Sequence, residues 1–397
     1  MNSTLVLVLV IVFAFVVSRG LADRSSRRFL PSGSEFVLVG LAVGPFGLGL
    51  ARPATVDALQ PVVALLIGLL GFTLGLSLRG MLRRVALVPT LIAACVTLGG
   101  VAAVVGAFLW ALAGLPTGTD VQFVVWPAVA LGCIAIVTSG TVGARVERIF
   151  AAAGPVMAFL RRGPATFNVV AVVGVGLTLA AVRAHGGGGL TLGTAEWVAA
   201  SVGGGVASGF LFALFLGQDR DPRRMYLASL GTVILASGVA AGGGLSPLFV
   251  NLVAGATVSA LSEEATVVRR ALGELFAPID AVILVLAGTM WTPPSGLAWL
   301  LLPLYLLVRA LGQRVAVGSL LSGRGEVPLS VRAGDGLVVQ GGLAVALALD
   351  SARLVPEQGS LVLSTVLAAV VLTDLAAAPI LRRVLADAGE IDATHPV

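Results

Sequence analysis

The sequence predicts an all-α polytopic membrane protein of about 13 transmembrane helices, and three observations carry that prediction. Hydrophobic residues make up 57% of the 397 positions and charged residues 11%, against roughly 25% charged in soluble domains. Apolar runs of about 20 residues, each long enough to cross a hydrocarbon core of about 30 Å, succeed one another along nearly the whole chain. Every basic residue is an arginine, with no lysine present, and the arginines gather in alternate loops between the runs. A pI near 10.4 would suggest a nucleic-acid partner in a soluble protein; here the placement of the arginines marks orientation in a bilayer, and no nucleic acid is expected.

Spans are expected at 4–18, 35–50, 59–78, 85–114, 121–143, 164–182, 197–216, 226–242, 245–261, 271–290, 297–320, 333–349 and 359–380. The first run, Leu5 to Val17, has neither a basic flank nor a small-residue cleavage site, so it reads as a span rather than a signal peptide. With the N-terminus outside, 21 of the 25 arginines fall in inner loops; Arg52, Arg183 and Arg353 fall outside, and Arg309 alone lies within a span. That asymmetry predicts an inner (plasma) membrane protein with a cytoplasmic C-terminus. Cys95 and Cys133 sit in apolar runs and read as buried free thiols, so no disulfide, metal site or cofactor is expected. Gly186 to Gly189 and Gly242 to Gly244 read as outer connections, because no strand precedes them as a phosphate loop requires.

An odd span count has a topological consequence. A single membrane domain, 1–397, divides into a first repeat (1–182) and a second (226–385) about a linker helix (197–216), and two such six-helix halves lie inverted with respect to each other. The fifth and twelfth spans are then matching members, and both are interruptible. Val137-Thr138-Ser139-Gly140-Thr141 breaks the fifth; Gly334-Asp335-Gly336 and Gln340-Gly341-Gly342 break the twelfth. The competing reading is close helix packing on small residues.

Gly40-Leu41-Ala42-Val43-Gly44-Pro45-Phe46-Gly47-Leu48-Gly49 resembles the second-span signature of cation:proton antiporters of the sodium/proton exchanger and Kef-like type. Leu245-Ser246-Pro247-Leu248, Ala254-Gly255, Leu286-Ala287-Gly288-Thr289-Met290, Val339-Gln340-Gly341-Gly342 and Ala378-Pro379 with Arg382-Arg383 look like the same family's text in the same order. The resemblance implies a sodium/proton antiporter-like fold: a dimerisation panel of spans one to three and eight to ten, and a core in which two broken helices cross. It implies a homodimer in the lipid bilayer and the transmembrane domain alone. It places an acid in the sixth span, where this chain has Asn168 after Phe167, and a base in the eleventh, matched by Arg309 with Gly312. Leu343 occupies the position of a Kef-like glutamate.

A carboxylate holds a cation when ionised and none when protonated, which couples the two ligands. Asn168 can ligate a cation through its amide oxygen, with Thr138, Ser139 and bare carbonyls of the fifth span, but it cannot titrate. Arg309 costs about 2.5 to 3.5 kcal/mol at the bilayer centre, so a carboxylate partner is expected for it. Asp280 in the tenth span is the leading candidate for a relocated titrating group; an ion pair with Arg309 or a backbone hydrogen bond is its structural alternative. Asp335 is expected beside Arg332, and Asp374 to pair or cap locally. Thr138, Ser139, Asn168, Asp280, Arg309, Asp335 and Gln340 are thus the candidate ion-binding residues. The expected function is exchange of a monovalent cation, sodium or potassium, for protons by alternating access. The alternatives are an anion or neutral-solute transporter on the same fold, or a transport-inactive sensor or partner subunit. His185 and His395 lie outside the spans with no serine partner, so an enzyme is not expected.

Overall fold

In the computed structural model the described residues are 33–51, 58–82, 87–113, 121–139, 147, 152–185, 192–216, 221–262, 265–273, 275–320 and 331–391. The expected span 4–18, Gly140, Thr141, Gly186 to Gly189 and His395 lie outside them. The helices are α1 (Ser34–Val43), α2 (Gln60–Leu82), α3 (Leu87–Ala113), α4 (Val121–Ala135), α5 (Pro155–His185), α6 (Thr194–Leu216), α7 (Pro222–Gly243), α8 (Pro247–Leu261), α9 (Ala265–Gly273) and α10 (Phe276–Thr289). They continue with α11 (Leu301–Leu320), α12 (Gly342–Leu354), α13 (Pro356–Leu375) and α14 (Ala377–Asp387), with 3-10 turns at Gly296–Leu300 and Val331–Leu337. No strand occurs among the described residues. Among the described residues seven helices are long and apolar enough to cross a membrane, and four shorter apolar ones accompany them, as befits an integral membrane protein.

The helices form two packed groups. One group, the panel, has α2 running along α8 with α6 and α7 against them; it differs from the panel that the resemblance implies in taking in the linker helix α6, while α1 and α10 pack on each other and against α13 and α12. The core has α4 on α3, α11 on α3 and on the 331–337 turn, and α12 on α13, while α1 packs with α10 and α5 touches both groups. Glycine permits the closest approaches. Gly40 and Gly288 face each other so tightly that a Cβ on either would lie 2.9 Å from the other's Cα; a Cβ on Gly255 would stand 2.9 Å from the carbonyl carbon of Phe72. With no hydrophobic drive between helices in lipid, such backbone-to-backbone contact supplies the association.

Element boundaries depart from the expected spans where local chemistry overrides hydropathy. The run 35–50 is helical only to Val43, because Gly44 is extended ahead of Pro45 and the chain folds back through Ala51 N–H to Val43 O at 3.0 Å. The sixth span starts at Pro155, not after Arg162, so Arg161 and Pro164 lie inside α5. Its first turn is capped from far along the chain: the Glu390 carboxylate accepts Val156 N–H at 2.6 Å and Met157 N–H at 2.9 Å. Cys133 is buried, but Cys95 is exposed on the outer face of α3.

Gly255→Ala should destabilise the protein by about 2 kcal/mol or more, since rigid backbone meets the new methyl. Gly238→Ala, where nothing lies within 4 Å, should be neutral or slightly stabilising. Thermal unfolding in detergent checks the pair; equal midpoints would refute the packing account.

Candidate functional site

α4 ends at Ala135, its last turn closed by Val137 N–H to Ile134 O at 3.0 Å, and the chain then runs on unwound to Ser139; the 331–337 turn is closed by Val338 N–H to Asp335 O at 3.3 Å, and the chain runs on unwound to Gly341. The breaks fall at Val137 to Ser139 and at Gln340 to Gly341 as expected, whereas Gly334-Asp335-Gly336 lies within the 331–337 turn. Ser139 N–H donates to Val339 O at 3.0 Å, so the two unwound segments pair where they cross. Bare backbone at this depth is tolerated only if its polar groups find partners inside the protein.

Arg309 supplies most of them. The residue is 1% exposed. Nε donates to Ala135 O at 2.8 Å, Nη2 to Val137 O at 3.0 Å and to Leu337 O at 3.1 Å, and Nη1 to Val338 O. Two helix C-termini, each the negative end of a dipole, therefore converge on one buried cation. Gln340 Nε2 donates to Ile134 O at 3.1 Å and to the Tyr305 hydroxyl at 2.9 Å, and Gln313 Nε2 reaches Ala135 O at 3.3 Å. Tyr305, Arg309 and Gln313 recur every four residues and so form one stripe of α11. The spacing was visible in the sequence, but Tyr305 and Gln313 were not expected in the site.

The expected carboxylate partner of Arg309 is absent among the described residues: carbonyl oxygens take that place. Asp335 pairs with Arg314 instead of Arg332, through bonds of 2.9 and 2.6 Å, and lies apart from the crossing. Arg332 pairs with Asp387. Asp374 accepts from the Ser34 hydroxyl at 2.5 Å, which ties α13 to α1.

Asn168 also differs from expectation. Its Oδ1 accepts Thr138 N–H at 3.0 Å while its Nδ2 donates to Thr138 O at 3.1 Å. The side-chain amide thus completes both backbone groups of one unwound residue. Thr138 Oγ1 further donates to Leu337 O at 3.3 Å.

A cavity of about 770 Å³ adjoins this crossing. Thr138, Ser139, Asn168, Gly341, Gly342, Leu343 and Ala165 line it from the core and α5; Leu70, Thr73, Leu74, Ser77, Arg269, Arg270, Phe276 and Asp280 face them. Of the candidates, Thr138, Ser139, Asn168 and Asp280 meet in its wall, with Arg309 and Gln340 behind and Asp335 outside. Asp280 is the only carboxylate in the lining among the described residues, and it makes no hydrogen bond or ion pair with any of them. It sits in the second turn of α10 against the first turn of α12: a Cβ on Gly342 would stand 2.6 Å from its Cγ. Its negative charge therefore faces the positive end of the α12 dipole, mirroring Arg309 at the two C-termini. No group of three or more His, Cys, Asp or Glu side chains able to hold a metal occurs among the described residues.

Apolar spans, two unwound segments crossing in pairs and a buried base between them define an integral membrane protein of sodium/proton antiporter-like fold. Two solved structures of the sodium proton antiporter MjNhaP1 from Methanocaldococcus jannaschii share it. The structure at pH 8 superimposes with a TM-score of 0.67 at 17% identity, covering 96% of this chain and 100% of that one. The other, from an electron-microscopy map, gives 0.63 at 15%, with 96% and 97% covered. No protein-family model and no curated protein matches this chain.

Introducing an acid as Asn168→Asp should cost about 1 to 3 kcal/mol above neutral pH, because one carboxylate oxygen would face Thr138 O where the Nδ2 N–H now donates, while the other would still accept Thr138 N–H. Arg309→Lys should lose more, on the order of 3 kcal/mol, since an ammonium cannot span four carbonyls. Melting curves in detergent measure both; an Asn168→Asp protein as stable as the native one would refute the clamp.

Proposed function

We propose that this protein is a secondary transporter exchanging a monovalent cation, sodium or potassium, for protons by alternating access, with Asp280 as the group that carries either ligand. One observation supports this above others: the lone carboxylate of the cavity among the described residues stands at the helix crossing, without an ion pair or hydrogen bond to any of them and beside open space. An ionised Asp280 attracts a cation, with the Thr138 and Ser139 hydroxyls within the same wall as further ligands. A protonated Asp280 does not, so the ligands compete for one oxygen pair. Asn168 contributes by fixing the Thr138 backbone rather than by titrating.

Inverted repeats (1–182 and 226–385), a homodimer, and an inner-membrane setting with the C-terminus inside belong to the same proposal. The arginine distribution along the sequence supports the orientation: Arg79, Arg161, Arg223, Arg224, Arg269, Arg270, Arg314, Arg332, Arg382 and Arg383 belong to the inner side of the expected topology, and Arg183 and Arg353 to the outer. The cavity, lined by Arg269 and Arg270, would then open to the cytoplasm. Those two arginines also favour a second reading, an anion as the transported solute.

In proteoliposomes, a sodium or potassium gradient should drive a pH change that Asp280→Asn abolishes, and apparent cation affinity should fall as pH is lowered. Undiminished exchange by Asp280→Asn would remove Asp280 from the mechanism; no flux from folded native protein would leave the transport-inactive reading. Thermal stabilisation by anions but not by lithium, sodium or potassium would instead favour the anion reading.

A further inference from the structure

At the far end of the interface from the cavity, core and panel are joined by buried polar groups. Asp350 lies on α12 eight residues beyond Gly342, about 12 Å along the helix, and is fully buried. Its Oδ2 accepts the hydroxyl of Ser246, the N-cap of α8, whose Oγ accepts Phe249 N–H at 3.1 Å. Its Oδ1 lies 3.6 Å from Nη1 of Arg353, and neither atom has a hydrogen bond among the described residues. Arg353 Nε donates to Gln60 Oε1 at 2.7 Å, at the first residue of α2. Asp350 and Arg353 belong to the core group; Ser246 and Gln60 belong to the panel. Two bridges thus span at one end the same interface that holds the cavity at the other.

These groups are poor choices for a permanent seal. A carboxylate in the last two turns of a helix opposes the dipole. A buried ion pair without full hydrogen bonding costs more desolvation than it returns, and apolar side chains would close the gap more stably. The cost has a use if the interface opens: once the groups part, water satisfies Asp350 Oδ1 and Arg353 Nη1, so both closed and open states are tolerable. An apolar seal would favour the closed state alone.

We infer, resting on the alternating-access reading above, that Asp350, Ser246, Arg353 and Gln60 form the gate that shuts the pathway on the face opposite the cavity. The state open to that face arises when the Ser246–Asp350 and Gln60–Arg353 contacts separate and hydrate.

Ala346 is buried on α12 between Gly342 and Asp350 and on their side of the helix, so Ala346→Cys reports opening. In a Cys95→Ser, Cys133→Ala background, a membrane-impermeant thiol reagent applied from the face opposite the cavity should label it slowly. Adding Ser246→Ala or Arg353→Gln should raise that rate about tenfold, the shift that loss of one buried hydrogen bond produces. A short thiol cross-link between Ser246→Cys and Asp350→Cys should suppress labelling and stop exchange, while Ser77→Cys stays reactive from the cavity side. Unchanged labelling in both single variants with native melting midpoints, or continued exchange through the cross-linked protein, would overturn the gate. Reagent access reads the gate without any flux: gated labelling in a protein that exchanges nothing would remove the transport reading only, and ungated labelling in an exchanging protein would remove the gate only.

Discussion

The structure depends on Arg309 closing two helix ends at once. A helix that stops inside a bilayer leaves carbonyls with no water to accept from, and two such ends meet here. A planar fork with five N–H groups reaches Ala135, Val137, Leu337 and Val338 together, a geometry that a lysine ammonium cannot reproduce. Charge-assisted hydrogen bonds contribute about 1.5 to 3 kcal/mol each, enough for four of them to offset the insertion cost of about 2.5 to 3.5 kcal/mol. The arginine is therefore satisfied without a carboxylate, because dipole ends and lone pairs provide its counter-charge. That resolves the puzzle posed by an amide at position 168.

With Arg309 satisfied, the remaining polar groups fall into distinct roles. Asn168 mimics a peptide and pairs with one, holding Thr138 in its unwound conformation. Gln340 and Gln313 absorb carbonyls that the guanidinium misses. Asp280 is left as the negative charge on the cavity side among the described residues, opposite the α12 N-terminus. A helix end binds a carboxylate loosely when no N–H is aligned with it, and such a group stays available to a ligand from the cavity. Structural satisfaction and chemical availability are thus separated between the two sides of the crossing.

The breaks in the fifth and twelfth spans were legible because Gly, Ser and Thr clusters weaken a helix at matched places in the chain. The signature glycines were legible too, and their physics is now plain: Gly40, Gly255 and Gly288 sit where another backbone passes, and Gly342 passes Asp280. Partner choice was not legible. Asp335 lies closer in sequence to Arg332 than to Arg314, yet the fold points Arg314 at it and sends Arg332 to Asp387. The start of α5 was misplaced because its cap, Glu390, lies more than 200 residues away, and hydropathy cannot see a cap. Asp350 escaped notice for a related reason: near the end of an apolar run an acid looks interfacial, and only the tertiary contacts of Ser246 and Arg353 reveal that it is buried.

Two kinds of contact divide the molecule, and their physics differs in what it permits. Within the panel and between α1 and α10, glycines bring backbones within van der Waals distance over several turns. Such contacts have one optimum and no polar compensation for separation, so they suit bodies that stay rigid. Between panel and core the apolar packing is interrupted by polar joints: hydroxyl to carboxylate, guanidinium to amide, and a cavity whose wall carries Thr73, Ser77, Thr138, Ser139, Arg269 and Arg270 among apolar side chains. Each of those groups loses one partner on separation and gains another in water, which flattens the free-energy difference between arrangements. Motion is therefore expected along the polar boundary and not within the glycine-packed groups. Arg309, tied only to core carbonyls, would move with the crossing it holds together.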